Sequence, residues 1–405
     1  MVTYPTDWEE TKLLDHVDLV QGLTYTPSNI KPHGTLVLRS SNIQNGHLSL
    51  EDNVYVNARI PSEKMIQPGD ILVCVRNGSA ALIGKSCVLP EMDNTTFGAF
   101  MSVLRGDQTG YIAKIFESDV VQEQVRGRSN ATINQITKKD FKSIVIVVPD
   151  KPEQIRIAKA LNTFDVHITH LTELIEKKKN IRMGAQEDLL SGKTRLNGYT
   201  EKWISIPFGK YFTLLKNNTY SRDKLTDHGT VGNIHYGDVL IKYGTIVDDK
   251  DEVPYLREGI PYADAWMLQE KDVVIADTAE DETVGKAVQI GKITCPVVAG
   301  LHTIVCRPNI ETASCFLGYY INSKAYHDQL LPHITGIKVS SVSKKAIKTT
   351  EIKIPSDIRE QSAIAEALMA MDEEISSLEA EREKITQIRE GAMNDLLTGR
   401  VRLAV

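Results

Sequence analysis

Two short segments rich in lysine, arginine and amide side chains carry the clearest chemistry in this 405-residue sequence. Residues 126–142 contain five basic side chains and one acidic one, and residues 338–353 contain the same numbers. Lysine and arginine bind phosphate oxygens, while Asn, Gln and Arg also reach the hydrogen-bonding edges of bases. A single charged run is usually a solvated surface, but the recurrence of this pattern favours a DNA contact surface.

The candidate DNA-contact residues form one group in each half of the chain. We expect the lysines to meet phosphates, so that replacing one weakens binding to every sequence alike. The first group is Arg126, Arg128, Asn130, Asn134, Lys138 and Lys139, and the second is Lys338, Ser340, Lys344 and Lys345, with Tyr220, Arg222 and Lys242 as further members.

Motifs that would indicate catalysis or a metal centre are missing from the sequence. The Gly-Lys stretch at 78–86 has one residue too many for a phosphate-binding loop, and its counterpart at 285–287 lacks the hydroxyl residue. No N/D-P-P-Y motif of an adenine methyltransferase is present. The acidic residues between 277 and 282 are interpreted as a polar loop rather than as metal ligands. The sequence therefore predicts no catalytic residue and no metal site.

The composition limits the classes of protein to which this chain can belong. The net charge is −6, and no apolar run approaches the ~20 residues that a membrane helix needs. Five cysteines without a C-x-x-C spacing are typical of reduced thiols. We therefore expect a soluble, cytoplasmic protein.

A long internal repeat organises the chain. Residues 153–196 and 360–403 align without a gap at an offset of 207, with 21 identities in 44 positions. Solenoid repeats are only about 20–50 residues long, so this spacing indicates two copies of one large unit. Each copy is a globular part followed by a long helix, and each helix ends in D-L-L-S/T-G.

Apolar residues recur along both helices at alternating spacings of three and four, which predicts a coiled-coil seam. Residues 151–196 carry nine basic and six acidic side chains (+3), whereas residues 355–405 carry six and eleven (−5). Opposite charge favours pairing of the two helices, and the connectivity predicts an antiparallel pair. The predicted seam consists of Leu161, Phe164, Ile168, Leu171, Ile175, Leu368, Met371, Ile375, Leu378 and Ile385.

The globular parts also correspond to each other. Both start with Tyr-x-x-x-Trp, and both contain a strand leading to Gly-Lys, a later Gly followed by apolar alternation, and a basic turn before a strand that ends in proline. Runs of β-branched residues broken by Gly, Asn and Asp predict mixed α/β domains with mostly antiparallel sheets. We predict recognition domains at 1–150 and 197–354, a central spacer helix at 151–196 and a C-terminal one at 355–405.

These motifs together resemble the specificity subunits of type I restriction–modification systems. The resemblance rests on E-Q-x-x-I-A-x-x-L-x-x-x-D-x-x-I, which follows a strand and a proline, and on the later D-L-L-S/T-G. Both motifs occur twice, first within 153–192 and again within 360–399. The globular parts are similar to target-recognition domains, including the stretches LRSSNIQNG and ADTAEDETVGKA.

The resemblance implies a non-catalytic subunit that recognises double-stranded DNA. Each domain would read half of a bipartite site, and the paired helices would set the spacing and dock two modification (methyltransferase) subunits. Those partners would bind S-adenosylmethionine and methylate adenine N6, and a restriction (motor-nuclease) subunit would join for cleavage. Two alternatives remain open: a coiled-coil scaffold with protein-binding ends, and the specificity subunit of a related system whose methylase and nuclease are fused.

Overall fold

The computed structural model describes residues 3–107, 109–128, 134–336 and 338–403. The chain divides into two compact units. Unit 1 comprises Met1–Thr172 and Ala380–Val405, and unit 2 comprises Glu173–Glu379. Each unit therefore contains one globular part together with segments of both long helices.

Unit 1 is built from short strands and helices that surround an apolar core. Its strands are β1 (Glu9–Lys12), β2 (Asp18–Gln21), β3 (Ile30–Lys31), β4 (Thr35–Leu38), β5 (Ile43–Gln44), β6 (His47–Leu48), β7 (Val54–Val56), β8 (Ile71–Cys74), β9 (Ser86–Val88), β10 (Thr95–Phe97), β11 (Met101–Arg105) and β12 (Val145–Val148). Its helices are α1 (Thr109–Glu117), α2 (Asp119–Arg128) and α3 (Lys138–Phe141), followed by the start of α4 (Lys151–Ser191).

The sheets of unit 1 are small. One has the strand order β2-β11-β8-β9, and the other has the order β10-β4-β7-β3. The first is antiparallel, whereas β10 and β4 of the second are parallel. Strands β1 and β12 pair separately, next to the start of α4.

Unit 2 repeats this plan with a larger central sheet. Its strands are β13 (Trp203–Pro207), β14 (Phe212–Leu215), β15 (Leu225–Thr226), β16 (Gly232–Ile234), β17 (Ile246–Val247), β18 (Tyr255–Leu256), β19 (Val273–Ala276), β20 (Thr278–Ala279), β21 (Ala287–Ile290), β22 (Val297–Ala299), β23 (Thr303–Pro308), β24 (Ser340–Ser341) and β25 (Glu351–Pro355). Its helices are α5 (Phe208–Tyr211), α6 (Tyr236–Ile241), α7 (Phe316–Ile321), α8 (Lys324–His327) and α9 (Lys344–Ile347), followed by α10 (Ile358–Leu397), which extends into unit 1.

The two units share strand registers as well as strand order. In unit 1, Ser102 of β11 lies opposite Val73 of β8, and in unit 2 Ile304 of β23 lies opposite Ile275 of β19. Both residues of the second pair lie 202 positions after those of the first. The correspondence that the sequence indicates loosely is therefore residue for residue in the central strand pair of each unit.

Each apolar core includes segments of both long helices. The core of unit 1 contains Leu161 from α4 and Leu396 from α10. The core of unit 2 contains Leu190 from α4 and Leu368 from α10. The apolar positions of the two helices thus serve the globular cores as well as the helix pair. All ten predicted seam residues lie at buried or half-buried positions.

Ion pairs give the direction of the helices within each unit. In unit 1, Arg389 Nε lies 2.5 Å from Asp165 Oδ1, and Arg402 binds Glu153. From Glu153 to Asp165 the residue numbers rise along α4, whereas those of their partners fall from 402 to 389. The two chain segments are therefore antiparallel. In unit 2, Arg182 Nε lies 2.8 Å from Asp372 Oδ1 and Arg195 binds Glu360, which shows the same direction. The mixed α/β class and the antiparallel pairing are confirmed.

These contacts recur at repeat-related positions. Asp372 and Arg389 lie 207 residues after Asp165 and Arg182, so the Asp165–Arg389 pair of unit 1 has its counterpart in the Asp372–Arg182 pair of unit 2. The ends of the helices behave alike: α4 and α10 are followed by Gly192 (φ +75°) and Gly399 (φ +70°) in the left-handed conformation that the D-L-L-S/T-G motif predicts.

Candidate nucleic-acid interface

Three loops of unit 1 converge on one groove. They follow β2, β4 and β10, and hydrogen bonds fix them to one another and to the loop after β8. Gly98 N donates to Leu38 O at 2.9 Å, which joins the loop after β10 to the end of β4. The groove has a volume of about 640 Å³ and is lined by Arg39, Ser40, Tyr25 and Phe100 among others. It therefore includes part of the LRSSNIQNG stretch.

The basic turn of unit 1 is tied to these loops. Ile136 N donates to Val75 O at 2.9 Å, and Asn77 N donates to Asn134 O at 3.2 Å. The amide of Asn134 in turn donates to Gly78 O at 2.9 Å. Asn77 also donates through Nδ2 to Ser40 Oγ at 3.1 Å, which joins the turn to the groove. Asn134 is thus placed beside the groove, with its own amide nitrogen engaged by the backbone.

The lysines of this turn are exposed at the start of a short helix. Thr137 caps α3, since its hydroxyl accepts from Asp140 N and its backbone N donates to the Asp140 carboxylate. This cap directs the chain into the helix, and Lys138 and Lys139 in its first turn are exposed. Both side chains are available to a phosphate backbone.

The two predicted arginines of α2 differ in their surroundings. Arg126 is exposed, whereas Arg128 is half-buried and donates from Nε to Ser143 Oγ at 2.8 Å. Arg128 also donates to Gln124 O at 2.9 Å, so most of its guanidinium is engaged within unit 1. Asn130 lies outside the described residues.

The basic turn of unit 2 has the same construction. Val342 N donates to Asp277 O at 2.9 Å, as Ile136 does to Val75 in unit 1. Ser343 caps α9 by accepting from Ala346 N. The candidates of this turn occupy matching places: Lys338, Lys344 and Lys345 are exposed, and Ser340 is half-buried in β24.

The three further candidates of unit 2 all have internal partners. Arg222 forms two hydrogen bonds with the Asp238 carboxylate, at 2.6 and 3.0 Å. Tyr220 donates its hydroxyl to Pro261 O at 2.7 Å, and Lys242 donates to the Glu252 carbonyl at 2.6 Å. Contact of Arg222 with DNA would compete with a buried carboxylate.

Phe100, which lines the groove, and Arg76, in the loop after β8, were not among the predicted contact residues. The Arg76 guanidinium carbon lies 5.1 Å from the centroid of the Phe100 ring, and Phe100 is 56% exposed. Arg76 N donates to Phe100 O at 3.1 Å, so the backbone fixes the pair. The position of Phe100, two residues after Gly98, was the available signal.

Unit 2 carries different side chains at the matching places. There the residue two positions after Gly300 is His302, and Asp277 N donates to His302 O as Val75 does to Phe100. The His302 ring stands 5.3 Å from that of Tyr236, and its Nδ1 lies 3.4 Å from Asp277 Oδ1. Thr278 stands where unit 1 has Arg76.

The second Gly-Lys loop has a structural role. Lys286 Nζ donates to Leu240 O at 2.8 Å, at the C-terminal end of α6, where the helix dipole favours a cation. Burial lowers the pKa of Lys286.

Within the described residues no three His, Cys, Asp or Glu side chains converge as metal ligands. None of the described helices is both long and apolar enough to cross a membrane.

Comparison with known proteins identifies the family. The model of the type I restriction modification DNA specificity domain matches residues 5–181 and again residues 201–387. Since the two matches cover most of the sequence, the chain belongs to this family. This confirms the resemblance on which the sequence analysis settled.

Individual relatives carry the same description. The EcoKI specificity subunit of Escherichia coli strain K12 is 30% identical over 209 residues, which cover 49% of this chain and 45% of that subunit. The chain is thus matched to less than half of that relative's length. The putative MjaX specificity subunit of Methanocaldococcus jannaschii is 25% identical over 427 residues, covering 98% of this chain and 95% of that protein.

Solved structures show the same fold. The S subunit of the type I restriction–modification system from M. genitalium superimposes with a TM-score of 0.59 at 17% identity, covering 96% of each chain. A chain from a study of complex assembly and conformational transition of the type I R-M system gives a TM-score of 0.55 at 13% identity, covering 99% of this chain and 100% of that one.

Proposed function

We propose that this chain is the non-catalytic, DNA-reading subunit of a type I restriction–modification complex, with one half of a bipartite site read by each unit. One observation carries the proposal. The same capped, exposed lysine turn borders the same loop framework in both units, whereas the side chains at the loop tips differ. A shared means of holding phosphates with different reading groups suits two half-sites of different sequence.

The recognition domains are assigned to 1–150 and 197–354, and the spacer helices to 151–196 and 355–405. Helices of 41 and 40 residues are roughly 60 Å long at about 1.5 Å per residue. One turn of DNA is about 34–36 Å, so such helices leave room for unread base pairs between the half-sites.

The helices also supply a surface for partners. Ile155 and Val166 of α4 are exposed in unit 1, and Ile181 and Met183 of α4 are exposed in unit 2. We assign these apolar side chains to the docking of two methyltransferase subunits, which would bind S-adenosylmethionine and modify adenine. Restriction subunits would complete the complex in the cytoplasm.

The test is a strand-resolved map of N6-methyladenine. Cells carrying this chain with the neighbouring modification subunit are compared with cells that lack only this chain. We expect a split motif with a fixed gap that disappears when the chain is absent. Methylation that does not depend on the chain, together with no DNA binding by the assembled complex, would instead support the scaffold alternative.

A further inference from the structure

We propose that Arg76 reads a guanine in the half-site of unit 1 and that Phe100 positions its guanidinium. This inference rests on the proposed function and names a base-reading residue within it. The arginine side chains of unit 1 differ in how many of their donors are bound within the protein.

Three other arginines of this unit are held by internal acceptors. Arg39 lies 2.7 Å from Asp52, and Arg105 forms two hydrogen bonds with the buried Asp70, at 2.7 and 2.8 Å. Arg128 is engaged by Ser143. Arg76, by contrast, is exposed, and within the described part of the chain its side chain donates no hydrogen bond. Its five N–H donors remain available to a ligand.

The position of Arg76 is nevertheless fixed. Its backbone N donates to Phe100 O, and Arg76 forms an isolated bridge with Gln135. The guanidinium lies over the Phe100 ring, where attraction between the cation and the ring holds the planar group. An exposed phenylalanine adds little to the stability of unit 1, so its place beneath the arginine is better explained by positioning.

The chemistry of this group selects the base. A rigid guanidinium fork matches the O6 and N7 acceptors of guanine, and this is the commonest specific contact in the major groove. Lys138 and Lys139 lie on the neighbouring turn and suit the flanking phosphates, because an ammonium group binds as a point charge. The structure thus separates a base-reading group from phosphate-binding groups along one surface.

Unit 2 gives an internal contrast. The matching positions hold Thr278 and His302, which offer no guanidinium fork. Every variant of Arg76 is therefore expected to alter one half-site and to leave the other unchanged.

The experiment uses the full chain assembled with its modification subunit. The wild-type methylation map supplies the target, and a panel of duplexes then carries each single base-pair substitution in both half-sites. Competition binding is measured for the wild type, Arg76→Ala, Arg76→Lys, Phe100→Leu and Lys138→Ala. Thermal unfolding of each complex controls for loss of structure.

We expect Arg76→Ala to lose discrimination at one G·C pair by roughly 5- to 150-fold, with all other positions unchanged. Arg76→Lys should lose much of this discrimination while it keeps its affinity for unrelated duplexes, because an ammonium group does not reproduce the planar fork that Phe100 orients. Phe100→Leu should lose part of it. Lys138→Ala should weaken binding to every duplex equally.

Four results would overturn the assignment. They are a unit 1 half-site without guanine, wild-type discrimination in Arg76→Ala, an equal loss on all duplexes, and full discrimination in Arg76→Lys. The last result decides the matter even if Arg76→Ala fails to fold. Failure of the proposed function looks different, because the wild-type complex would then show no methylation or binding that depends on the chain.

Discussion

Asp165 in unit 1 and Asp372 in unit 2 form a matched pair for testing how the long helices are held. Asp165 accepts from Arg389 of α10 and from Lys114 of α1. All three side chains are largely buried, with 17%, 15% and 14% exposure. Asp372 accepts from Arg182 and from the Tyr319 hydroxyl, and its side chain is 39% exposed. The change to make is Asp→Asn at each position in turn.

The exposures set the expected magnitudes. Replacing Asp165 leaves Lys114 facing a neutral amide, whereas Arg389 keeps Glu117 as a partner. The cost should therefore lie somewhat below the roughly 3–5 kcal/mol of breaking a buried pair, at about 2–4 kcal/mol. Asp372 is far more exposed and pairs with one cation, so its replacement should cost about 1 kcal/mol. The same substitution at repeat-related positions is therefore expected to destabilise unit 1 more than unit 2.

Hydrogen exchange followed by mass spectrometry reads the two units separately. Asp165→Asn should speed exchange in residues 151–172 and 380–397 by roughly 30- to 900-fold, the equivalent of about 2–4 kcal/mol. Residues 173–191 and 358–379 should respond to Asp372→Asn by only about fivefold. Equal effects, or a larger effect at Asp372, would refute the reasoning from burial.

Acid provides a second check on Asp165. Burial alone would raise the pKa of Asp165, but hydrogen bonds and charge from Lys114 and Arg389 outweigh burial and lower it. A carboxyl whose folded pKa is depressed stabilises the fold above its unfolded pKa, near 3.9, and loses this effect as pH falls through the folded value. The difference between wild type and Asp165→Asn should therefore be constant from about pH 7 to 5 and shrink below about pH 4.

Three further outcomes are expected. Lys138→Ala should reduce the slope of log affinity against log salt by about one, measured by titration of the assembled complex. Seven residues inserted into both helices, after positions 172 and 379, should widen the gap in the methylation motif by about three base pairs, since about 1.5 Å per residue gives roughly 10 Å. Gly399→Ala should destabilise unit 1 by about 1–3 kcal/mol in an unfolding assay, because the φ of Gly399 is +70° and a Cβ there would lie 2.5 Å from Pro5. The control, Gly391→Ala, places its Cβ in open space on α10 and should stabilise the fold by up to about 1 kcal/mol.

The parts of the fold that the sequence predicts are those specified by local pattern. The helix ends follow from D-L-L-S/T-G, and the antiparallel pairing follows from connectivity and opposite charge. The division of both helices between the units could not be read in this way. It depends on Leu161 and Leu368 packing into globular cores, which an alternating spacing of three and four does not distinguish from a helix–helix seam.

In the candidate site, too, some residues could be predicted from local sequence and others could not. Lys138 and Lys139 were found because a basic run is visible in one dimension, and the cap at Thr137 explains their exposure. Arg76 and Phe100 lie 24 residues apart and meet only because β8 pairs with β11 in one register, which brings their loops together. Arg128 shows the reverse: its position in a basic run made it a candidate, but Ser143 engages its guanidinium.

The residues that hold the loops recur in both units, whereas the side chains at the loop tips differ. Asp70 binds Arg105 in unit 1, and Asp272 binds Arg307 in unit 2, each through two hydrogen bonds between a strand start and the β-strand beside it. These buried pairs fix the same register under both sets of loops. Because this register is shared, Arg76 and Phe100 of unit 1 and Thr278 and His302 of unit 2 occupy matching places with different chemistry. The two half-sites should therefore differ where these side chains reach the bases.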